Sequence, residues 1–213
     1  MKVADFHKLT NAALKRAAKA RSWSSSGYAA FKREGPLFFY VTVLPSGKGR
    51  GLVYSIQYKF IVMEDLFWRI IGTPSNSDAP LSVRAKGVFA LAGTEISRHD
   101  RPESAWTDEL MDSEMESLLE EAVVRAETVV TRVRTLDQNL AYIEELASSQ
   151  PTDPNVLARL GRAQVLTHLL KGEAAEADAM VEKQLHANDP GGGVRLGGHS
   201  FYEWVKWHIE AMA

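Results

Sequence analysis

Cysteine is absent from all 213 residues. That excludes disulfides, a thiol nucleophile and zinc sites built on thiolates, and it agrees with a reducing cytoplasm, the location expected here. Long apolar runs are missing as well. No segment reaches the roughly eighteen unbroken apolar residues of a membrane span. The first twenty residues, MKVADFHKLTNAALKRAAKA, set Asp5, His7 and Lys8 among their apolar positions, unlike a signal peptide. No membrane contact is therefore expected. With 15 glycines and 8 prolines the composition is not that of a disordered chain. A large net charge is lacking too, since the formal balance is −2.

What is present is an ordinary globular composition, 45% hydrophobic and 24% charged, at a length that fits one large or two small domains. The charge is unevenly spread: residues 1–60 hold eleven Lys or Arg against Asp5 and Glu34, and residues 61–213 hold fourteen against twenty-five acids. A basic half can mark a nucleic-acid surface, but two oppositely charged halves can equally face one another, and a near-neutral chain favours the second reading.

Residues 3–20 repeat Val3, Phe6, Leu9, Ala13, Ala17 and Ala20 at spacings of three and four, which predicts an amino-terminal helix ended by a turn in SWSSSG. YAAFKREGPLFFYVTVLPSGKGRGLVYSIQYKF then reads as two or three strands with turns at Gly35-Pro36 and across residues 45–51. The loop LPSGKGRG is a hairpin loop rather than a phosphate cradle, because Lys48 precedes glycine and a strand instead of Ser/Thr and a helix.

The run LVYSIQYKFIVMEDLFWRIIG, residues 52–72, carries five aromatic rings. Leu52, Tyr54, Ile56, Tyr58 and Phe60 fall on one side of a strand, and Ser55, Gln57 and Lys59 on the other. Glu64-Asp65 interrupts the pattern, and LFWRIIG is expected to restart it as the partner strand of a hairpin. TPSNSDAP reads as a polar loop, and LSVRAKGVFALAG as a further strand with a bulge at Gly87.

From Asp108 the period lengthens. Met111, Met115, Leu118, Ala122, Ala126, Val129 and Val133 mark a long amphipathic helix whose acids, eight within residues 108–127, read as a solvated face. After SSQPTDPN a second helical set begins, capped by Asp153 with Pro154 first, running to Gly172. A helix over 173–187 and a terminal helix opened by Ser200 and Glu203 in capping-box spacing follow, the latter with Phe201, Trp204, Val205 and His208 on its apolar side. Leu160-Gly161 is loosely similar to a tetratricopeptide hairpin, without a second copy. The fold class is thus α+β: an antiparallel sheet of about four to five strands with an amino-terminal and a long helix over residues 1–148, then an all-helical extension over 151–213, docked on the first domain in one reading.

The segments GYAAFKREGPLFFY, VYSIQYKF, FWRIIG and SAWTDELMDSEMESLLEEA, in that order, resemble the bacterial domain-of-unknown-function family 4304 over residues 1–148. The resemblance implies an antiparallel sheet with helices against one face, and it implies no activity.

Chemistry is sparse. The histidines at 7, 99, 168, 186, 199 and 208 are scattered. His199 and Glu203 share i, i+4 spacing without a third ligand nearby, HDRPE (99–103) reads as an exposed polar loop, and the glycines of PGGGVRLGG lack a dinucleotide-turn context. No catalytic, cofactor or metal residues are assigned, and no cofactor is expected. An RNA platform built on the aromatic strand would need outward rings and its own strand motif, which is missing, so the rings are read as core. If helices cover one face only, the other leaves Ser55, Gln57, Lys59 and Arg69 as the candidate contact surface. The expectation is a noncatalytic protein-interaction module with a protein partner. The alternatives are a nucleic-acid binder using the basic first third and an enzyme with an unrecognised site.

Overall fold

A computed structural model describes residues 2–46, 51–86, 90–102, 104–149, 154–187 and 195–212. The loop residues around Lys48, the bulge expected at Gly87, the cap expected at Asp153 and the glycine-rich connector at 190–194 lie outside the described residues. The fold is α+β, with a five-stranded antiparallel sheet, an amino-terminal helix and a helical carboxy-terminal region.

Helix α1 (Val3–Ala20) buries Phe6, Thr10, Ala13, Leu14, Ala17 and Ala18, while Val3 is exposed. It closes in a Schellman arrangement: Trp23 N–H donates to Ala18 O at 2.9 Å and Ser22 N–H to Lys19 O at 3.2 Å, with Ser22 left-handed at φ 58°. The serines that follow do more than end the helix. They form the edge strand β1 (Ser24–Ser26), which pairs with β2 (Ala29–Glu34). Strands β2 and β3 (Leu37–Ser46) make the hairpin expected at Gly35-Pro36, where Gly35 supplies φ +57°. β4 (Gly51–Phe60) and β5 (Thr94–Arg101) complete the order β1-β2-β3-β4-β5.

Two expected strands are helices. LFWRIIG lies in α2 (Ile61–Ile70), where Leu66, Phe67 and Trp68 are all buried in succession. A strand with one wet face cannot bury three consecutive side chains. The exposed positions, Val62 and Arg69 with Asp65 half-buried between them, fall three and four apart, which is a helix period. LSVRAK forms α3 (Leu81–Lys86), and the fifth strand is β5, which contains the His99, Asp100 and Arg101 read above as loop. The long helix α4 (Asp108–Arg132) buries its whole expected stripe through Val133. After it come α5 (Leu136–Ser149), α6 (Pro154–Lys171) and α7 (Ala174–His186), then a small hairpin of β6 (Arg195–Leu196) and β7 (His199–Ser200), and finally α8 (Phe201–Glu210).

The compact units do not follow a contiguous division at residue 148. One comprises Met1–Lys59, Pro80–Ala90 and Glu95–Thr131; the other comprises Phe60–Ala79, Leu91–Thr94 and Arg132–Ala213. In the first, α1 packs on β1 and β2, and α3 on β2 and β3. In the second, α6 packs against α2, α5 and α7, and α8 against α2 and α7. Gly161 matters there, because a Cβ would stand 3.2 Å from Tyr202 Oη. α8 opens in the expected capping box, with Ser200 N–H donating to Glu203 Oε2 at 2.6 Å and Glu203 N–H to Ser200 Oγ at 3.2 Å.

Candidate functional site

β4 alternates as its sequence dictates, and Tyr54, Ile56, Tyr58 and Phe60 are buried together. All five rings of residues 52–72 are core, so none forms an open stacking platform. The opposite face corrects the expectation of an open polar surface: Ser55, Gln57 and Lys59 keep only 7%, 6% and 2% of their surface. Tyr40 Oη donates to Gln57 Oε1 at 2.8 Å, Gln57 Nε2 donates to Ser55 Oγ at 2.7 Å, and Thr42 Oγ1 lies 3.1 Å from the same hydroxyl. Lys59 Nζ donates to Arg84 O on α3 at 2.7 Å and sits over the Phe38 and Tyr40 rings at 5.6 and 5.2 Å. Each polar group on this face thus meets a partner inside the fold, as buried polar groups must. Arg69 alone of the four is exposed, on α2 in the second unit. There burial, followed by the Arg69 guanidinium, holds the His208 imidazole below its ordinary value.

A second cluster joins β5 to α4. Period two sends Ser97, His99 and Arg101 to one face of β5, and a seven-residue step puts Glu114 and Glu121 on one face of α4. Tyr54 Oη and Arg101 Nε both donate to Glu114 Oε1, at 2.7 and 2.6 Å. Ser97 Oγ donates to Glu121 Oε1 at 2.7 Å, and His99 Nε2 lies 2.9 Å from Ser97 Oγ and 3.0 Å from Glu121 Oε2. Burial alone would raise the Glu121 carboxyl, but hydrogen bonds from Ser97 and His99 outweigh it and hold the group below the usual carboxylate range.

Serine, histidine and glutamate in contact invite comparison with a hydrolytic triad, and the geometry rejects it. A triad places hydroxyl and carboxylate on opposite ring nitrogens, so that the imidazole takes the serine proton. Here both approach Nε2, and the hydroxyl gives its proton straight to the carboxylate. The arrangement fastens β5 to α4 instead.

Tyr54 tests that fastening. Burial, then the Glu114 carboxylate that accepts its hydrogen bond, pushes its phenol up to about 12. An unfolded tyrosine ionises near 10. Below about pH 10 the phenol is neutral in both states and its contribution is intact. Between about 10 and 12 the unfolded chain loses the proton first, so stability falls as pH rises. In an absorbance titration near 295 nm, Tyr54→Phe should remove a tyrosine that ionises near 12, and Glu114→Gln should lower that value. A Tyr54→Phe protein with an unchanged titration curve would contradict the assignment.

A cleft of about 330 Å³ between β2 and α4 is lined by Val123, Ala126 and Val130. Lys32, Glu34 and Glu127 line it as well, and Lys32 pairs with Glu34 at 2.5 Å. Among the described residues no group of three or more metal-binding side chains is gathered, and His199 with Glu203, 3.9 Å apart, remains a pair. No described helix is long and apolar enough to cross a membrane.

A partly exposed aromatic cluster joins β7 to α8. His199 and Trp207 have ring centroids 4.6 Å apart, and Trp204 lies 5.4 Å from Trp207 and 6.0 Å from His199, all edge to face. Trp207 keeps 43% of its surface. The β6–β7 turn, with Gly197 and Gly198 at φ +60° and +88°, presents His199, and the capping box fixes where α8 begins. Lys206 pins α8 to α7 through Asp178 and Glu182 at 2.9 and 2.8 Å, and these two carboxylates raise its pKa. Spacing alone hides this patch: Trp204 and Trp207 are three apart on the helix, but His199 joins them only through the hairpin. No protein-family model, no curated protein and no solved structure matches the chain.

Proposed function

We propose that the chain is a noncatalytic protein-interaction module, acting in the cytoplasm, whose contact surface is the aromatic patch of His199, Trp204 and Trp207. One observation carries the reading: an indole 43% exposed, held edge to face by two neighbouring rings on a helix that a capping box and an ion-pair cluster fix in place. Rigid, half-exposed tryptophans are the side chains that contribute most at protein interfaces, because they bury a large area at little entropic cost. The kinship of residues 1–148 with family 4304 belongs to the same proposal and adds no activity to it.

The test is affinity capture with the tagged chain against its Trp207→Ala variant. The wild type should retain one stoichiometric partner, and the variant should bind it about thirtyfold more weakly, the effect of losing a hot spot of about 2 kcal/mol. Circular dichroism should show both chains equally folded, since the lost side chain is half in water. Capture that is indifferent to both Trp207→Ala and Trp204→Ala would reject the patch.

A further inference from the structure

The described residues carry a second surface of different chemistry, on α1 in the first unit. The buried residues Phe6, Thr10, Ala13, Leu14, Ala17 and Ala18 define one side of that helix. At about 100° per residue, Lys8, Lys15 and Lys19 fall within about 40° of one another at the opposite pole. A rise of about 1.5 Å per residue spreads them over roughly 16 Å of the helix axis. All three are exposed. Several other cations are paired with carboxylates: Arg16 with Asp112, Arg101 with Glu114, Arg125 with Glu121, Arg132 with Glu145, and Lys171 with Asp137 and Glu173. Among the described residues, the three ridge lysines enter no ion pair.

We infer that this ridge binds the phosphate backbone of nucleic acid without reading its sequence. The complementary partner is anionic, and the rest of the helix decides which kind. A bilayer-bound amphipathic helix must insert its apolar face, and the apolar face of α1 is already covered within its own unit. A protein interface needs a desolvated anchor, and around the ridge the solvent side offers Ala4 and Ala12 rather than an aromatic ring. A phosphate backbone requires neither, only spaced cations that displace its counterions. The ridge is independent of the α8 patch, so each surface can fail its test without the other.

Fluorescence anisotropy with labelled single-stranded and duplex oligonucleotides of about 20 nucleotides reads the inference directly. Three phosphate contacts predict a log–log salt slope of about −2.1 for single strands and about −2.7 for duplex, hence a fall of about 20- to 40-fold in affinity between about 50 and 200 mM salt. The triple variant Lys8→Glu, Lys15→Glu, Lys19→Glu should lose the binding while its urea midpoint stays close to wild type, because the side chains lie in water. Lys15→Gln alone should flatten the slope by roughly one contact, and Arg125→Gln should leave it unchanged. Three results would overturn the inference: no binding at about 50 mM salt with about 100 µM protein, equal binding by the triple variant, or equal affinity for polyglutamate or for phosphatidylserine vesicles.

Discussion

Replacing Trp68 by alanine is expected to cost about 3–5 kcal/mol, the largest single effect anticipated for this chain. The indole is completely buried and lies on α2 between the buried Phe67 and the exposed Arg69. Removing it deletes the largest fully buried side chain and leaves a cavity that its neighbours fill only in part. Val62→Ala and Arg69→Ala on the exposed stripe of the same helix should each stay within about 0.5 kcal/mol. Urea unfolding of the three variants measures the contrast. A small loss for Trp68→Ala, or comparable losses for all three, would contradict the helical placement, which separates position 68 from positions 62 and 69.

Lys59 gives the second large effect. On an open sheet face, truncating a lysine changes stability by less than about 0.5 kcal/mol. Buried, with its ammonium on the Arg84 carbonyl and over two rings, Lys59→Ala should cost about 3 kcal/mol by removing a charged hydrogen bond, leaving that acceptor short of a partner and opening a void. Lys59→Met fills the void but still leaves that carbonyl short of a donor, so its loss should be smaller than that of Lys59→Ala, about 1–2 kcal/mol. The expected order of urea midpoints is wild type above Lys59→Met and Lys59→Met above Lys59→Ala. Equal midpoints for all three would mean that the polar face is wet after all.

These two positions also show where sequence pattern stopped. Alternation in residues 52–60 correctly separated Tyr54 and Tyr58 from Ser55 and Gln57, because the strand's own geometry sets that. It could not say that the polar side would also be covered, since polarity reports exposure only when no partner is offered inside. Tyr40, Thr42 and the Arg84 carbonyl, between 13 and 25 residues distant in sequence, are those partners. LFWRIIG reads as a strand for a related reason: on α2 the apolar Val62 is exposed and the charged Glu64 is buried, so the helical period of exposure does not appear as a period of polarity. The cluster of Ser97, His99 and Glu121 and the patch of His199, Trp204 and Trp207 likewise come together across turns and elements, so no local spacing announces them.

By itself the sequence determined what is local. It set the span and ends of α1, the turn at Gly35-Pro36, the buried stripe of α4 from Met111 to Val133, the capping box of α8, and the separation of β4 into two chemically distinct faces. Each follows from backbone periodicity and short-range hydrogen bonds that neighbours in the chain supply. The tertiary structure alone decided which faces stay wet, which ionisable groups meet, and which rings remain outside, because burial depends on what packs above a surface and the chain brings those covering groups from far along its length.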